Sequence, residues 1–319
     1  MIKKIYLSAT LLAAVLIISG CDDAFAPKTP FVPEYVVYGI IKGDSLTQTL
    51  LLAKTYDVNG TNPGFNTESP EIAGATVKIR RKNTTVTMRD TLLERTDTSR
   101  YKAPIKAYYS LGFVPSYGDT LHLEITTPDG KTLNSRTIVP PSLYLEKSFY
   151  NIGGDRDDNL AGSFTLTWRI QSGFLFLPRM QIIYMKDGDP KQRIVEVPYY
   201  YTRINNQDQA VYPFLSSNPY AQFRYDAIDS ALVSISRGDP AKNTYRILRA
   251  NFRVITLDEH FAKYYSSTNG YLDALSVRLD EVVYSNITGG RGVFGSYMLT
   301  QETFVFNQEY VESFGYRAR

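Results

Sequence analysis

The sequence predicts a mainly β protein, in which an N-terminal immunoglobulin-like antiparallel β-sandwich is followed by a second β-rich domain with one short helix. Three observations predict this class. Alternating apolar and polar residues recur in short runs, turn residues separate the runs, and 13% of residues are aromatic, including 25 tyrosines. β-branched and aromatic residues favour strands, and many short strands with regular turns are typical of sandwiches.

The first half of the chain is a series of predicted strands and hairpins. The runs EYVVYGII, TQTLLLAKT, GATVKIRR and TTVTMRDTLL are strand candidates. The clearest alternation, in DTLHLEIT, places three apolar side chains on one face: Leu121, Leu123 and Ile125. Pro140 and Pro141 interrupt the pattern. We therefore predict the sandwich over residues 34–140 and the second domain over residues 141–319.

The second half contains further strand candidates, namely SFTLTWRI, RMQIIYMK, RIVEVPYYYTRI, ALVSIS and TYRILRANFRVIT. One helix is predicted after them. Thr256 and Glu259 have the spacing of a capping box, and Gly270 stands where the helix would end. An apolar stripe lies between these positions and is more typical of a core than of a ligand site: Phe261, Tyr264 and Tyr265.

The N-terminal residues resemble the signal of a bacterial lipoprotein. Lys3 and Lys4 precede an apolar run from Ile5 to Ile18, which is short for a membrane span. The run ends in ISGC, similar to a lipobox, in which the cysteine sulfur is lipidated. Cys21 is the only cysteine. We predict a signal peptide over residues 1–20 and attachment to the membrane through a lipid on Cys21.

Residues 21–33, CDDAFAPKTPFVP, are predicted to form a proline-rich tether. Removal of the signal peptide takes Lys3 and Lys4 from 35 basic residues, against 32 acidic ones, so the mature chain is close to neutral. Neither a basic tract nor a basic stripe stands out, and nucleic acid is not an expected partner.

Few residues suggest catalysis or metal binding. The chain has two histidines: His122 alternates outward on a predicted strand, and His260 lies in the predicted helix. No nucleophile-elbow pattern accompanies them. Asp155–Asn159 begins like a calcium loop, but Leu160 and Leu166 stand where glycine and glutamate are needed. We expect no enzyme activity, no metal site and no cofactor.

Tyrosines concentrate near the middle of the second half. Tyr199, Tyr200 and Tyr201 are consecutive, and AVYPFLSSNPYAQFRY adds further aromatic residues. Exposed aromatics of this kind stack on sugars or anchor protein partners, because tyrosine offers a large apolar area with a polar hydroxyl. Packing in a β core is the more common role, and both interpretations stay open here.

The stretch SNITGGRGVFGSY contains a G-x-G-x-x-G pattern at Gly290, Gly292 and Gly295. A dinucleotide site needs a helix that opens at the glycines. The residues that follow are β-branched and aromatic, which favours a strand. We predict a glycine-rich turn or bulge, where a positive φ or a close backbone approach requires glycine.

Several stretches together carry a family resemblance: the lipobox at Cys21, YVVYGII, IAGATVKI, TTPDGKTLNSRT, LDEHFAKYYSS and SNITGGRGVFGSY. The most distinctive residues lie in the last of them: Asn286, Gly289, Gly290, Gly292, Phe294 and Gly295. The chain resembles the Bacteroidota envelope lipoproteins catalogued as domain of unknown function 4249. The resemblance implies an outer-membrane lipoprotein that faces the cell exterior, with a β-sandwich front, and it implies no activity.

We therefore expect a non-enzymatic surface lipoprotein that acts as an accessory or interaction module. A TonB-dependent outer-membrane transporter is its candidate partner, as a hypothesis from the family context. The alternative is a surface lipoprotein that binds a glycan or another small ligand through the tyrosine-rich segment.

Overall fold

The computed structural model describes residues 31–57, 66–146, 151–154, 162–169, 173–269 and 284–319. The protein is mainly β, with 53% strand and 12% helix, which confirms the predicted fold class. The predicted lipidation site Cys21 and the loop Asp155–Asn159 lie outside the described residues.

The first half of the described chain forms seven strands, whose alternation agrees with the sequence. They are β1 (Tyr35–Lys42), β2 (Thr47–Lys54), β3 (Thr76–Arg81), β4 (Thr84–Leu93), β5 (Ile105–Leu111), β6 (Thr120–Thr126) and β7 (Thr132–Ile138). They pair antiparallel in the order β1-β2-β5-β4-β3-β6-β7. As predicted, β6 buries Leu121, Leu123 and Ile125 on one face.

The second half of the described chain contains further strands and three helices. The strands are β8 (Leu145–Glu146), β9 (Asn151–Ile152), β10 (Ser163–Trp168), β11 (Leu175–Lys186), β12 (Asp189–Val197), β13 (Tyr200–Ile204), β14 (Gln207–Val211), β15 (Tyr220–Arg224), β16 (Tyr245–Leu257) and β17 (Arg291–Phe306). The helices are α1 (Tyr225–Ser236), α2 (Glu259–Asn269) and α3 (Gln308–Glu312), and a 3₁₀ turn spans Lys242–Thr244.

Strand β17 joins the two halves into one sheet. The described strands of this sheet run in the order β12-β11-β16-β17-β1-β2-β5-β4-β3-β6-β7, and β9 also pairs with β17. The first part of β17, Arg291–Tyr297, pairs parallel with β1, and the part from Tyr297 to Phe304 pairs antiparallel with β16. Two smaller sheets, β15-β10-β8 and β13-β14, complete the described strands.

Buried apolar side chains form two large clusters. The first draws on residues 35–139 together with Ile287, Phe294 and Met298, and the second draws on residues 143–318. Strand β17 therefore contributes to both, with Phe294 in the first and Phe304 in the second. The domain boundary at Pro140 stays a prediction.

One strand prediction was wrong. The run ALVSIS, Ala231–Ser236, is the second half of helix α1 rather than a strand. Its β-branched residues Val233 and Ile235 favour a strand locally. The wider segment has helical spacing, since its buried residues recur on one face of a helix: Ala227, Ile228, Ala231, Leu232 and Ile235.

The predicted helix at residues 256–270 exists as α2, but its cap is a different residue. Thr256 lies inside strand β16 and is fully buried. The side chain of Asp258 caps the helix, because its Oδ1 accepts a hydrogen bond from the backbone N–H of Phe261 at 2.9 Å. Thr256 and Asp258 are both cap-forming residue types, and the length of the preceding strand decides between them.

Candidate functional site

The glycine motif leads directly into a strand. Thr288 forms a two-bond bridge with Asn134 of β7, with N to O distances of 3.1 and 2.8 Å. Strand β17 then begins at Arg291. The glycines thus turn the chain from the edge of β7 into the position beside β1.

Two glycines of the motif allow the backbone of β17 to lie close to β1. A Cβ atom at Gly290 would lie 2.7 Å from the carbonyl oxygen of Tyr35, and one at Gly292 would lie 2.0 Å from that of Val37. Gly292 also has φ of 104°, a conformation that favours glycine. No side chain fits at either position without displacing the neighbouring backbone.

The other glycines make comparable approaches to different elements. A Cβ atom at Gly289 would lie 2.6 Å from the carbonyl oxygen of Thr132 in β7. At Gly295 it would lie 2.7 Å from Cβ of Phe261 in α2. The motif therefore brings β17 against β1 and α2, and the turn before β17 against β7.

Asn286 holds the turn through its side-chain amide. Its Nδ2 donates to the carbonyl oxygen of Phe294 at 2.7 Å, and its Oδ1 accepts from the N–H of Phe294 at 2.9 Å. The hydroxyl of Ser135 donates to the Asn286 carbonyl at 2.8 Å. Phe294 itself is fully buried in the first cluster. These contacts give Asn286 and Phe294 a structural role.

A buried carboxyl group links three elements beside this motif. Asp258 Oδ1 also accepts from the N–H of Ser296 in β17 at 2.9 Å, and the hydroxyl of Thr137 in β7 donates to Oδ2. All three residues are buried. Burial raises the pKa of the Asp258 carboxyl above its ordinary value, while the hydrogen bonds from Ser296, Thr137 and Phe261 act in the opposite direction.

The two histidines lie in different environments. His122 is half-buried on β6. It lines a cleft on the solvent-exposed face of strands β3, β4, β6 and β7. His260 in α2 has its Nδ1 2.6 Å from the hydroxyl of Tyr284. Among the described residues, no group of three or more His, Cys, Asp and Glu side chains is placed to hold a metal ion.

The tyrosine-rich segment presents four exposed aromatic rings, which we call the aromatic surface. Its members and their exposed fractions are Tyr200 at 39%, Tyr212 at 41%, Phe214 at 56% and Tyr220 at 46%. Tyr200 opens β13, Tyr220 opens β15, and Tyr212 and Phe214 lie in the connection between β14 and β15. Exposed rings on adjacent segments are typical of contact sites.

A chain of packed aromatic rings lies beneath Phe214, one member of this surface. The ring of Phe214 contacts the ring of Tyr199 edge-on, with centroids 6.5 Å apart. Tyr199 in turn lies 4.9 Å from Phe223, and Phe223 lies 6.1 Å from Phe252 in the second cluster. The connection is also fixed at Ser216, which exchanges two backbone hydrogen bonds with Phe176 of β11. Phe214 therefore rests on a fixed support.

The three consecutive tyrosines have different positions. Tyr199 packs against the second cluster, and burial raises the pKa of its phenol. Tyr200 is exposed. Tyr201 is half-buried, and burial together with the nearby Tyr212 raises the pKa of its phenol. Only Tyr200 of the three is a member of the aromatic surface. The sequence signal for the other members is the run AVYPFLSSNPY, in which the exposed rings alternate with small and polar residues.

No helix in the part of the chain that the structure describes is long and apolar enough to cross a membrane.

Comparison with known proteins places the chain in one family. No curated protein matches it. The chain is similar to a solved structure described as the crystal structure of DIP-gamma IG1+IG2, at 10% identity and a TM-score of 0.18, over 70% of this chain and 89% of that chain. At this TM-score the match does not bear on fold or function. The family model of DUF4249, a domain of unknown function, matches residues 22–303, so this chain belongs to that family.

Proposed function

We propose that this protein is a non-enzymatic outer-membrane lipoprotein, anchored through Cys21, that faces the cell exterior and acts as an accessory or interaction module. The lipobox-like ISGC and the preceding apolar run support the anchor. The proline-rich residues 21–33 support a tether between the membrane and the folded part. A TonB-dependent outer-membrane transporter is the candidate partner.

The aromatic surface is the observation that carries this proposal. The exposed rings are those of Tyr200, Tyr212, Phe214 and Tyr220, and Phe214 packs on the ring of Tyr199. Large aromatic side chains dominate the binding energy of protein interfaces, because they bury much area and lose little conformational entropy. We infer that the partner binds here.

Co-purification tests the partner and the surface together. The tagged full chain is isolated from its native membranes in mild detergent, and the proteins that accompany it are identified by mass spectrometry. We expect a transporter in stoichiometric amounts with the wild type and its loss from the double variant Tyr200→Ala, Phe214→Ala.

Tyr117→Ala is the matched control, since Tyr117 is 58% exposed and lies between β5 and β6, outside the tyrosine-rich segment. It should retain the partner. Equal recovery of the transporter from the double variant would show that docking uses another surface. Recovery of the wild-type chain alone would contradict the accessory role.

Glycan binding through the same surface is the second candidate, and one observation favours it. Three of the four exposed rings are tyrosines, whose hydroxyls supply hydrogen bonds beside a flat stacking face. A glycan screen with Tyr200→Ala and Tyr212→Ala tests it. Loss of a bound glycan with unchanged folding would support this candidate. Replacement of Tyr199 is a poorer test, because Tyr199 packs against the second cluster.

Anchoring is tested at Cys21. We expect Cys21→Ala to release the protein from the membrane fraction and to abolish labelling by a fatty acid, since stable anchoring needs the acyl chains. Membrane attachment that persists without labelling would contradict the anchor. Digestion of the wild type by protease added to intact cells would support the outward orientation, and digestion only after lysis would exclude it.

A further inference from the structure

A cleft of about 310 Å³ lies on the solvent-exposed face of strands β3, β4, β6 and β7, and none of its lining residues belongs to the aromatic surface. Strands β4, β3, β6 and β7 form its floor, and its polar lining includes Lys78, Arg80, Thr85, His122, Glu124 and Asn134. A volume near 300 Å³ is at the lower end of small-molecule sites, so the cleft has the size for a small polar molecule.

Strand register concentrates positive charge at this cleft. Arg80 of β3 lies directly opposite His122 of β6, and His122 lies opposite Arg136 of β7. Ion pairs among the described residues include neither Arg80 nor Arg136. The guanidinium groups of Arg80 and Arg136 therefore carry positive charge that a bound anion would offset.

The next set of cross-strand neighbours adds a carboxylate and an amide to the cleft. Lys78 of β3 lies opposite Glu124 of β6, and Glu124 lies opposite Asn134 of β7. Glu124 is exposed, so its carboxylate can accept hydrogen bonds from ligand hydroxyls. Asn134 and Thr85 provide an amide and a hydroxyl at the two sides of the cleft. A simple oxyanion would not use this second set.

We propose that the cleft binds a small hydroxyl-rich molecule that carries a phosphate group, in chemical class a sugar phosphate. Arg80 and Lys78 bind the phosphate oxygens, since guanidinium and ammonium groups form charge-assisted hydrogen bonds with phosphate. Glu124, Thr85 and Asn134 bind the hydroxyls. The proposal does not depend on the aromatic surface or on its partner.

Calorimetry with glucose 6-phosphate, glucose and inorganic phosphate tests the ligand class on the full chain in detergent. We expect glucose 6-phosphate to bind more tightly than either of the other two, with an affinity that falls as salt rises. Equal affinity for glucose or for inorganic phosphate, or no saturable binding of glucose 6-phosphate, would overturn the proposal.

Two variants, each of which removes one positive charge, test whether the ligand binds in the cleft. Arg80→Gln should weaken the binding of glucose 6-phosphate by about tenfold or more, because a charge-assisted contact is lost. Arg89→Gln is the control, since Arg89 is an exposed residue on the same face of β4 outside the cleft. It should leave affinity unchanged. Equal weakening by both variants would show a general effect of charge and would overturn the site.

A lipid headgroup is a second source of the same chemistry. Vesicles that contain phosphatidylinositol 4-phosphate present a sugar phosphate at a membrane surface. Vesicle binding that free glucose 6-phosphate displaces would support the cleft with a lipid as the source. Binding of glucose 6-phosphate without vesicle binding would support the cleft with a soluble source.

Discussion

At the scale of single residues, the glycine motif is a device for close backbone approach. Gly290 and Gly292 bring β17 against β1, and Gly295 brings it against α2. Asn286 then pairs with the backbone of Phe294 through both atoms of its amide group. Each residue type in the motif is thus required by a specific neighbour within the protein.

We expect Gly292→Ala to destabilise the protein more than Gly188→Ala. Both glycines have positive φ, of 104° and 80°, but a Cβ atom at Gly188 meets nothing within 4 Å. Gly188→Ala should cost about 1–2 kcal/mol from backbone strain alone. Gly292→Ala should cost a further 1–3 kcal/mol or so from the clash with Val37. Urea denaturation measures both, and equal losses would contradict the close-approach role.

The sequence predicted the turn at this motif but not its contacts. The glycines and the β-branched residues that follow are local signals, and local signals are sufficient for a turn that leads into a strand. The partners of Gly292 and Gly295 are β1 and α2. These partners are far from the motif in the sequence, so a local residue pattern cannot indicate them.

At the scale of elements, the start of helix α2 is fixed to the sheet by Asp258. Its carboxylate caps the helix and also binds Ser296 of β17 and Thr137 of β7. The carboxyl is 2% exposed, so its ionised form lacks solvation. Helix α2 is therefore held by a group whose charge is costly.

We expect Asp258→Asn to alter the dependence of stability on pH. The raised pKa means that the folded state binds this proton more tightly than the unfolded chain. The resulting stability is complete below the ordinary pKa of 3.8 and is lost as pH rises through the folded pKa. Asparagine resembles the protonated acid at every pH. The free energy of unfolding of the wild type should therefore fall relative to that of Asp258→Asn as pH rises.

Urea denaturation of both proteins between pH 4 and pH 8 measures this difference. Asp258→Ala is the control: it removes the cap, and since neither side chain titrates it should be less stable than Asp258→Asn by about 1–2 kcal/mol at every pH in this range. A difference between wild type and Asp258→Asn that stays constant with pH would contradict the raised pKa.

Sequence patterns predicted most elements, and the exceptions have physical causes. Strands with one buried face show strict alternation, as in β6, and were predicted correctly. The run Ala231–Ser236 was misread because β-branched residues near the end of α1 conceal its helical period. The aromatic surface was predicted only in part, since Tyr199 and Tyr200 have equal propensities and differ only in what packs on them.

At the scale of the whole molecule, β17 contributes to both apolar clusters and to the sheet that runs between them. Phe294 and Phe304 lie on the same strand in different clusters. Loss of packing in one cluster should therefore destabilise the other, because β17 and its backbone pairing are common to both.

We expect the two clusters to unfold together. Phe294→Ala should destabilise the first cluster by about 3–5 kcal/mol, because it leaves a cavity in a fully buried site. Trp168 is the only tryptophan and lies in the second cluster, so its fluorescence reports that cluster. The denaturant midpoint of the Trp168 fluorescence transition should therefore be lower in Phe294→Ala than in the wild type. The exposed Leu111→Ala is the control and should not shift it.

An unchanged Trp168 transition in Phe294→Ala would contradict cooperative unfolding. Amide hydrogen exchange would then show faster exchange confined to residues 35–139. That result would instead support two independent domains divided at Pro140.

The parallel pairing of β1 with β17 also determines when folding can finish. Val36 pairs with Arg291, about 255 residues later in the chain, so β1 cannot gain this neighbour until residue 291 has been synthesised. Closing so long a loop costs entropy before any contact is gained, and folding slows accordingly. Until then, the backbone N–H and C=O groups on this edge of β1 lack their partners in β17. During this interval the unpaired edge of β1 is a site where another chain can add a strand, and pairing with β17 removes it.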